Sequence, residues 1–297
     1  MVASLDFPGT GGWSSWDTVS ATISLNSGAN YLRLTSLGSE GGPNLDKLDI
    51  SFNGTLTIPE PTPVPTGDPN GLFVETYVPD DNVDLWEDYI AELDYRVETG
   101  GNGGSRTIYN PILVRQGTTY DGRGETLNAN KETMGDSSQD EGQKPYFLLE
   151  PGANLKNVTF GNNGVEGVHM MGDNILDNVH WKDIGEDAAS VRSYFPGGDI
   201  TIKNGSAYDG ADKCFQFNKE CVVRITNFQS SNVGKFIRQN GGETFPLTIY
   251  LDTVTVNNFK EAIVRSDSPR CYVYYRNLKS NESQSDWWML KTTPQPF

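Results

Sequence analysis

The sequence predicts an all-β chain whose larger part winds as a parallel β-helix, and three observations predict it. Six short strings recur every 21–26 residues: Leu155-Lys156-Asn157-Val158, Leu176-Asp177-Asn178-Val179, Ile202-Lys203-Asn204-Gly205, Ile225-Thr226-Asn227-Phe228, Leu251-Asp252-Thr253-Val254 and Tyr275-Arg276-Asn277-Leu278. That interval is the length of one solenoid coil. The third member is Asn in five of the six. Asn tolerates a left-handed turn and can hydrogen-bond to its copy in the next coil, about 4.8 Å away. Finally, a second apolar strand follows five of the strings: Gly167–Met170, Ala188–Arg192, Cys214–Phe217, Phe236–Gln239 and Ala262–Arg265. Chance Asn placement in a turn-rich β protein is the plain alternative.

Along the chain, residues 1–57 read as a small β-like region. The alternating prolines of Ile58-Pro59-Glu60-Pro61-Thr62-Pro63-Val64-Pro65-Thr66 cannot donate ladder hydrogen bonds, so 58–71 reads as an extended linker. A domain over 72–297 follows. Asp80-Asp81-Asn82 opens a stretch with Val83, Trp86, Ile90, Leu93 and Val97 at helical spacing, and Gly100-Gly101 closes it. Acids at its start complement the helix dipole, so an amphipathic N-terminal capping helix is expected. Coils begin near residue 106.

The chain of 297 residues carries a formal charge of −16, which argues against nucleic acid and anionic membranes as bulk partners. An anionic substrate remains open, because a local cation cluster can reverse the field within a cleft. Two histidines are too few for most zinc or Ser-His-Asp designs. Three cysteines leave at least one unpaired; a Cys214–Cys221 bridge and buried thiols both remain open. No apolar run approaches the ~20 residues of a membrane span. The first residues lack the pattern of a signal peptide, so any export signal is expected outside them.

Just ahead of the second strands stand Glu166, Glu186-Asp187, Asp212-Lys213, Gly234-Lys235 and Lys260-Glu261. Stacking at the coil period would set these residues in one column, acids in the upper coils and cations in the lower ones. A merely solvated face would intersperse the signs. Glu166, Glu186 and Asp187, joined by Glu141, form a hard-oxygen set suited to Ca²⁺. Lys213, Lys235 and Arg238 can hold carboxylates. Neutralising a uronate carboxylate acidifies its C5 proton, and a Lys or Arg made partly neutral by its surroundings could remove it. Loss of the C4 oxygen then completes a β-elimination. Two other readings stand beside this one. One is hydrolysis by carboxylate pairs drawn from Glu186-Asp187 and Asp209 or Asp212; the other is a non-catalytic binding β-helix.

The motifs Tyr120-Asp121-Gly122-Arg123-Gly124, Glu141-Gly142-Gln143-Lys144-Pro145, Gly167-Val168-His169 and Ile184-Gly185-Glu186-Asp187-Ala188 are followed by Ala211-Asp212-Lys213-Cys214-Phe215-Gln216 and Val233-Gly234-Lys235-Phe236-Ile237-Arg238-Gln239-Asn240-Gly241-Gly242. In order and spacing, residues 106–280 resemble family-3 pectate lyases. The resemblance implies a right-handed parallel β-helix that cleaves polygalacturonate with Ca²⁺ to 4,5-unsaturated products. It implies metal ligation by Glu166, Glu186 and Asp187, and catalysis and substrate binding by Lys213, Lys235 and Arg238. Glu166 stands where the family usually has Asp, and Arg192, a substrate-binding candidate with Arg265, where Lys is common. Residues 1–55 are similar to part of a jelly-roll carbohydrate-binding module, a partial β-sandwich in which Trp13 or Trp16 and Asn44 would contact sugar, unless the tryptophans simply fill its core. A secreted monomer acting on pectin is the resulting expectation.

Overall fold

The computed structural model describes residues 17–22, 89–90, 93–138, 142–192, 198–281 and 287–297. The chain divides into two units, Met1–Val78 and Pro79–Phe297. Of the expected sandwich remnant only residues 17–22 are described; Trp13, Trp16, Asn44, the proline linker and Glu141 lie outside the described residues.

The second unit is a parallel β-solenoid. Its described strands form one 16-stranded sheet in which every pairing between strands is parallel. The six strings stack as their spacing requires: Leu155 faces Leu176, Leu176 faces Ile202, and the row continues through Ile225, Leu251 and Tyr275. Strand periodicity turns these side chains inward, and the first five are buried. Aromatic rings fill the interior in sequence: Tyr146 against Phe160 at 4.5 Å, Phe160 against Trp181 at 5.4 Å, Trp181 against Phe215 at 6.1 Å and Phe215 against Phe236 at 5.3 Å. All three cysteines are buried and free, which decides against the Cys214–Cys221 bridge.

The third member of every string turns a corner in left-handed conformation: Asn157, Asn178, Asn204, Asn227, Thr253 and Asn277 have φ between 51° and 57°. An Asn side chain offsets the cost of that conformation by bonding along the stack. Asn178 Nδ2 donates to Asn157 Oδ1 and Asn227 Nδ2 to Asn204 Oδ1, both at 2.9 Å. The ladder breaks between Asn178 and Asn204, whose Nδ2 donates instead to Asp177 Oδ1 at 2.8 Å. A second ladder was not anticipated. Asp209, Asn232 and Asn258 also have positive φ; Asn232 Nδ2 donates to Asp209 Oδ1 at 2.7 Å, and Asn281 Nδ2 to Asn258 Oδ1 at 3.0 Å.

The expected capping helix ends earlier than its spacing indicates. Tyr89 and Ile90 are helical, but Asp94 takes a φ of 49°, and Arg96–Val97 is a strand paired with Ile112 and Leu113. Val97 therefore adds a rung to the sheet instead of a helical turn, and its side chain is exposed. Ile90 packs with Leu113, Leu148 and Met171. The rest of the predicted helix lies outside the described residues. Among the described residues, no helix is long and apolar enough to cross a membrane.

The corner ladder has a direct test. Asn227→Ala loses the inter-coil hydrogen bond and forces a β-carbon without compensation into left-handed backbone, for an expected loss of about 2 kcal/mol. Asn227→Gly loses only the bond and should cost about half as much. Denaturant unfolding of the two variants checks the order; equal losses would show that the corner does not depend on backbone conformation.

Candidate active site

A register shift creates the site. Between Gly210 and Lys213, and again between Val233 and Lys235, the strand pairing slips, so Lys213 comes to face Lys235 across adjacent coils. Such irregularities bend a strand and re-aim the side chains that follow. Glycines let the coils close here. A β-carbon at Gly167, where φ is 61°, would meet the Ala188 carbonyl oxygen, and one at Gly234 the Asp212 carbonyl oxygen, both inside any real contact distance.

Glu166, Glu186, Asp187, Lys213 and Lys235 are all buried. Lys213 Nζ lies 3.0 Å from Asp212 Oδ2, 3.3 Å from Asp187 Oδ1 and 3.5 Å from Glu186 Oε1. Lys235 Nζ contacts Asp212 Oδ1 and lies 3.5 Å from Glu261 Oε1. One carboxylate, Asp212, thus bridges both lysines. By row the acids Glu166 and Asp187 stand in the coils above the two lysines, but the sets interlock, because Asp212 and Glu261 also contact the lysines. Ala262 is the residue in register with Lys235, and the charge of that fifth rung reaches the site through Glu261 beside it.

Arg238 belongs to a different row. The register links His169, Ser190, Gln216, Arg238 and Arg265 across successive coils. This row lies three residues beyond the lysine row, and Arg238 and Arg265 are its two cations. Arg238 forks onto Asp267, with Nη1 to Oδ1 at 3.2 Å and Nη2 to Oδ2 at 3.3 Å. Arg265 Nη1 lies 2.7 Å from Glu261 Oε2. Arg192 is partly buried, its guanidinium carbon 5.7 Å from the centre of the Tyr89 ring.

Electrostatics assign each group a protonation tendency. Burial, with Glu166 adding like charge, pushes the Glu186 carboxyl up to about 7. Burial also holds the Asp187 carboxyl well above its usual range, although Lys213 opposes it. For Lys213, burial disfavours the charge, but Asp187, Asp212 and Glu186 outweigh it and hold the ammonium above the usual lysine value. Burial would lift Asp212 too, yet Lys235 and Lys213 bring it below the usual carboxylate range. Hydrolysis needs one carboxyl that keeps its proton, and an ionised Asp212 does not suit that acid's part. Asp209, the other acid considered for hydrolysis, is a corner residue bonded to Asn232.

The acidic set suits a hard cation chemically. Glu186 Oε2 and Asp187 Oδ1 are buried and accept no hydrogen bond. Lys213 approaches the latter as an ion pair without hydrogen-bond geometry. Unsatisfied, desolvated carboxylate oxygens are suitable ligands for Ca²⁺. Among the described residues, however, no three His, Cys, Asp or Glu side chains stand preassembled around one ligating point. In the sequence His169 stands out only as part of a motif, and nothing local marks Tyr89, which touches it. Nor does the sequence mark Glu261 and Asp267 as partners of the cations. These partners come from distant coils and leave no signal in local spacing.

Known proteins bear on these residues. The chain is similar to the Aspergillus fumigatus protein named "Probable pectate lyase D", at 31% identity over 164 residues, covering 54% of this chain and 66% of that protein. It is also similar to pectate lyase E of Emericella nidulans, at 33% identity over 164 residues, covering 54% and 62%. The chain thus spans less than two-thirds of the length of these relatives. The catalytic domain of pectate lyase PelI from Erwinia chrysanthemi superposes with a TM-score of 0.44 at 18% identity, over 68% of this chain and all of that domain. Residues 98–291, well over half of the sequence, match the Pectate lyase family, and the chain belongs to that family.

Proposed function

We propose that this protein is a Ca²⁺-dependent pectate lyase that cleaves polygalacturonate by β-elimination. The observation that carries the reading is the buried ion cluster in which Lys213 contacts Glu186, Asp187 and Asp212 beside Lys235. Three carboxylates gathered around one lysine, two of them with raised proton affinity, are costly to bury unless a further cation or an anionic ligand uses the arrangement. Pectate lyase relatives support the substrate class. A polymer of that size is met outside a cell, so we place the enzyme there, as a monomer and without nucleic-acid or membrane partners.

In this reading Glu166, Glu186 and Asp187, with Glu141, hold Ca²⁺. Ca²⁺ held there would supply the positive charge that Glu186 and Asp187 otherwise draw from Lys213 and would polarise a uronate carboxylate. Lys235 and Arg238 hold uronate carboxylates, the lysine as a point charge and the arginine through a fork that Asp267 now fills. Arg192 and Arg265 extend the binding surface along the polymer. Lys213, once relieved of its acidic neighbours, takes the C5 proton. The C5–H electron pair becomes the C4–C5 double bond, the C4–O bond breaks, and water protonates the departing oxygen. Arg238 is the competing base.

Incubation with polygalacturonate and Ca²⁺ should raise the ultraviolet absorbance of unsaturated uronide, and a chelator should abolish the rise. New reducing ends without that absorbance would instead mean hydrolysis, and neither signal a binding protein. Lys213→Ala should lower kcat by about 10²–10⁴-fold, the range for a lost general base, while polymer binding persists. Near-normal turnover in that variant would transfer the role to Arg238.

The Glu186 carboxyl also predicts how stability depends on pH. Its pKa rises from an ordinary 4.5 to about 7 on folding, so the protonated form favours the fold. That contribution is complete below about 4.5 and is lost as pH climbs through 7. Chelated protein should therefore lose about 2–3 kcal/mol between pH 5 and pH 8 from this residue, and Ca²⁺ should restore it. Thermal melts across that range, with Glu186→Gln as the flatter control, measure the effect. A chelated protein equally stable at both pH values would contradict it.

A further inference from the structure

Among the buried groups the proposed reaction does not use, one chain of contacts leads directly into the acidic cluster. His169 is only 2% exposed, although the register sets it in the same row as Ser190, Gln216 and Arg238. A side chain in that row would otherwise border the cations of the site. Tyr89, on the helical residues ahead of the first strand, touches it: the rings stack with centroids 6.0 Å apart and planes 27° from parallel. The Tyr89 hydroxyl lies 2.7 Å from His169 Nδ1, and His169 Nε2 lies 3.2 Å from Glu166 Oε2. One hydrogen assignment satisfies every partner. The tyrosine O–H donates to Nδ1, and the Nε2–H donates to the carboxylate.

We propose that Tyr89 and His169 are positioning residues for the acidic cluster: the Tyr89 hydroxyl fixes the His169 ring, and the ring holds Glu166 where it can serve a divalent cation. The inference rests on the reading of Glu166, Glu186 and Asp187 as cation ligands. Glu has one more rotatable bond than Asp, so a carboxylate on the longer side chain gains more from an external restraint. Histidine–carboxylate pairs beside a ligating oxygen commonly set ligand orientation, and losing such a partner typically costs 10–100-fold in metal affinity. Tyr89 has a second, separable task. Its ring also lies 5.7 Å from the Arg192 guanidinium carbon, so the phenol joins the acidic cluster to a cation proposed to bind substrate.

An ordinary buried histidine would be held for packing alone, and conservative variants tell the two apart. Tyr89→Phe keeps the ring near Arg192 and deletes only the hydroxyl. Calorimetric titration with Ca²⁺ should show affinity reduced about tenfold or more, while KM for polygalacturonate at saturating Ca²⁺ stays within twofold. Tyr89→Leu should weaken Ca²⁺ similarly and also raise KM. At position 169, His169→Gln keeps a donor near Nε2 but loses the Nδ1 acceptor of the Tyr89 hydroxyl and should fall with Tyr89→Phe, whereas His169→Asn, which mimics only Nδ1 and leaves Glu166 without its donor, should fall further. Wild-type affinity in folded Tyr89→Phe, or equal affinities for the Gln and Asn variants, would overturn the proposal. Should the natural protein show no saturable Ca²⁺ binding, both the cluster reading and this inference fall. If Ca²⁺ binds and Tyr89→Phe weakens it but no unsaturated product forms, the positioning role stands and the lyase reading fails.

Discussion

Everything in this molecule depends on one geometric constraint: each coil must return to the same height above its predecessor and enter its next strand in parallel register. The left-handed corner residues impose it. Asn157, Asn178, Asn204, Asn227, Thr253 and Asn277 turn the chain through a conformation that most residues avoid, and the Asn amides bond along the stack to offset that cost. Because the corners are aligned, the apolar rows and the interior aromatic rings align as well. A parallel solenoid has little else to fix its register, since a slip of one residue would turn its buried side chains toward solvent.

The site is built where that register is deliberately broken. The slips ahead of Lys213 and Lys235 re-aim two lysines in successive coils onto the carboxylates of the coils above. Repetition of the coil brings charges of adjacent coils within 3.3–3.5 Å of one another without any long loop to carry them. The same closeness makes the cluster strained electrostatically. Glu186 and Asp187 resist ionisation, whereas Asp212 and Lys213 are held ionised. Such divided tendencies among touching groups are how a site prepares to receive charge from outside, and they distinguish this cluster from the exposed pairs elsewhere on the coils, such as Arg276 with Asp252.

The proposed chemistry rests on two observations of different kinds, membership of the pectate lyase family and the buried ion cluster. The family match rests on sequence across residues 98–291, whereas the electrostatic argument rests on distances among a few side chains. The second adds to the first, because a solvated ladder of opposite charges would leave no buried, unbonded carboxylate oxygens such as Glu186 Oε2.

The sequence by itself determined the coil. Its period, the Asn at five of six corners and the apolar strands are local features, set by backbone preference and alternation, and the structure keeps all six strings in register. It also marked Glu166, Glu186, Asp187, Lys213 and Lys235 as neighbours, because residues one coil apart are adjacent in any solenoid. Tertiary structure decided the rest. The predicted helix gave way to a strand at Arg96–Val97, since pairing with Ile112 and Leu113 outweighs helical spacing at the end of a segment. Arg238 fell into a separate row with Arg265, and Asp212 became the bridge between two lysines. Tyr89 reached His169 from 80 residues away. These outcomes depend on where a strand slips and which distant segment lies over which row, and both are settled by packing between coils, which a single sequence does not encode in its local spacing.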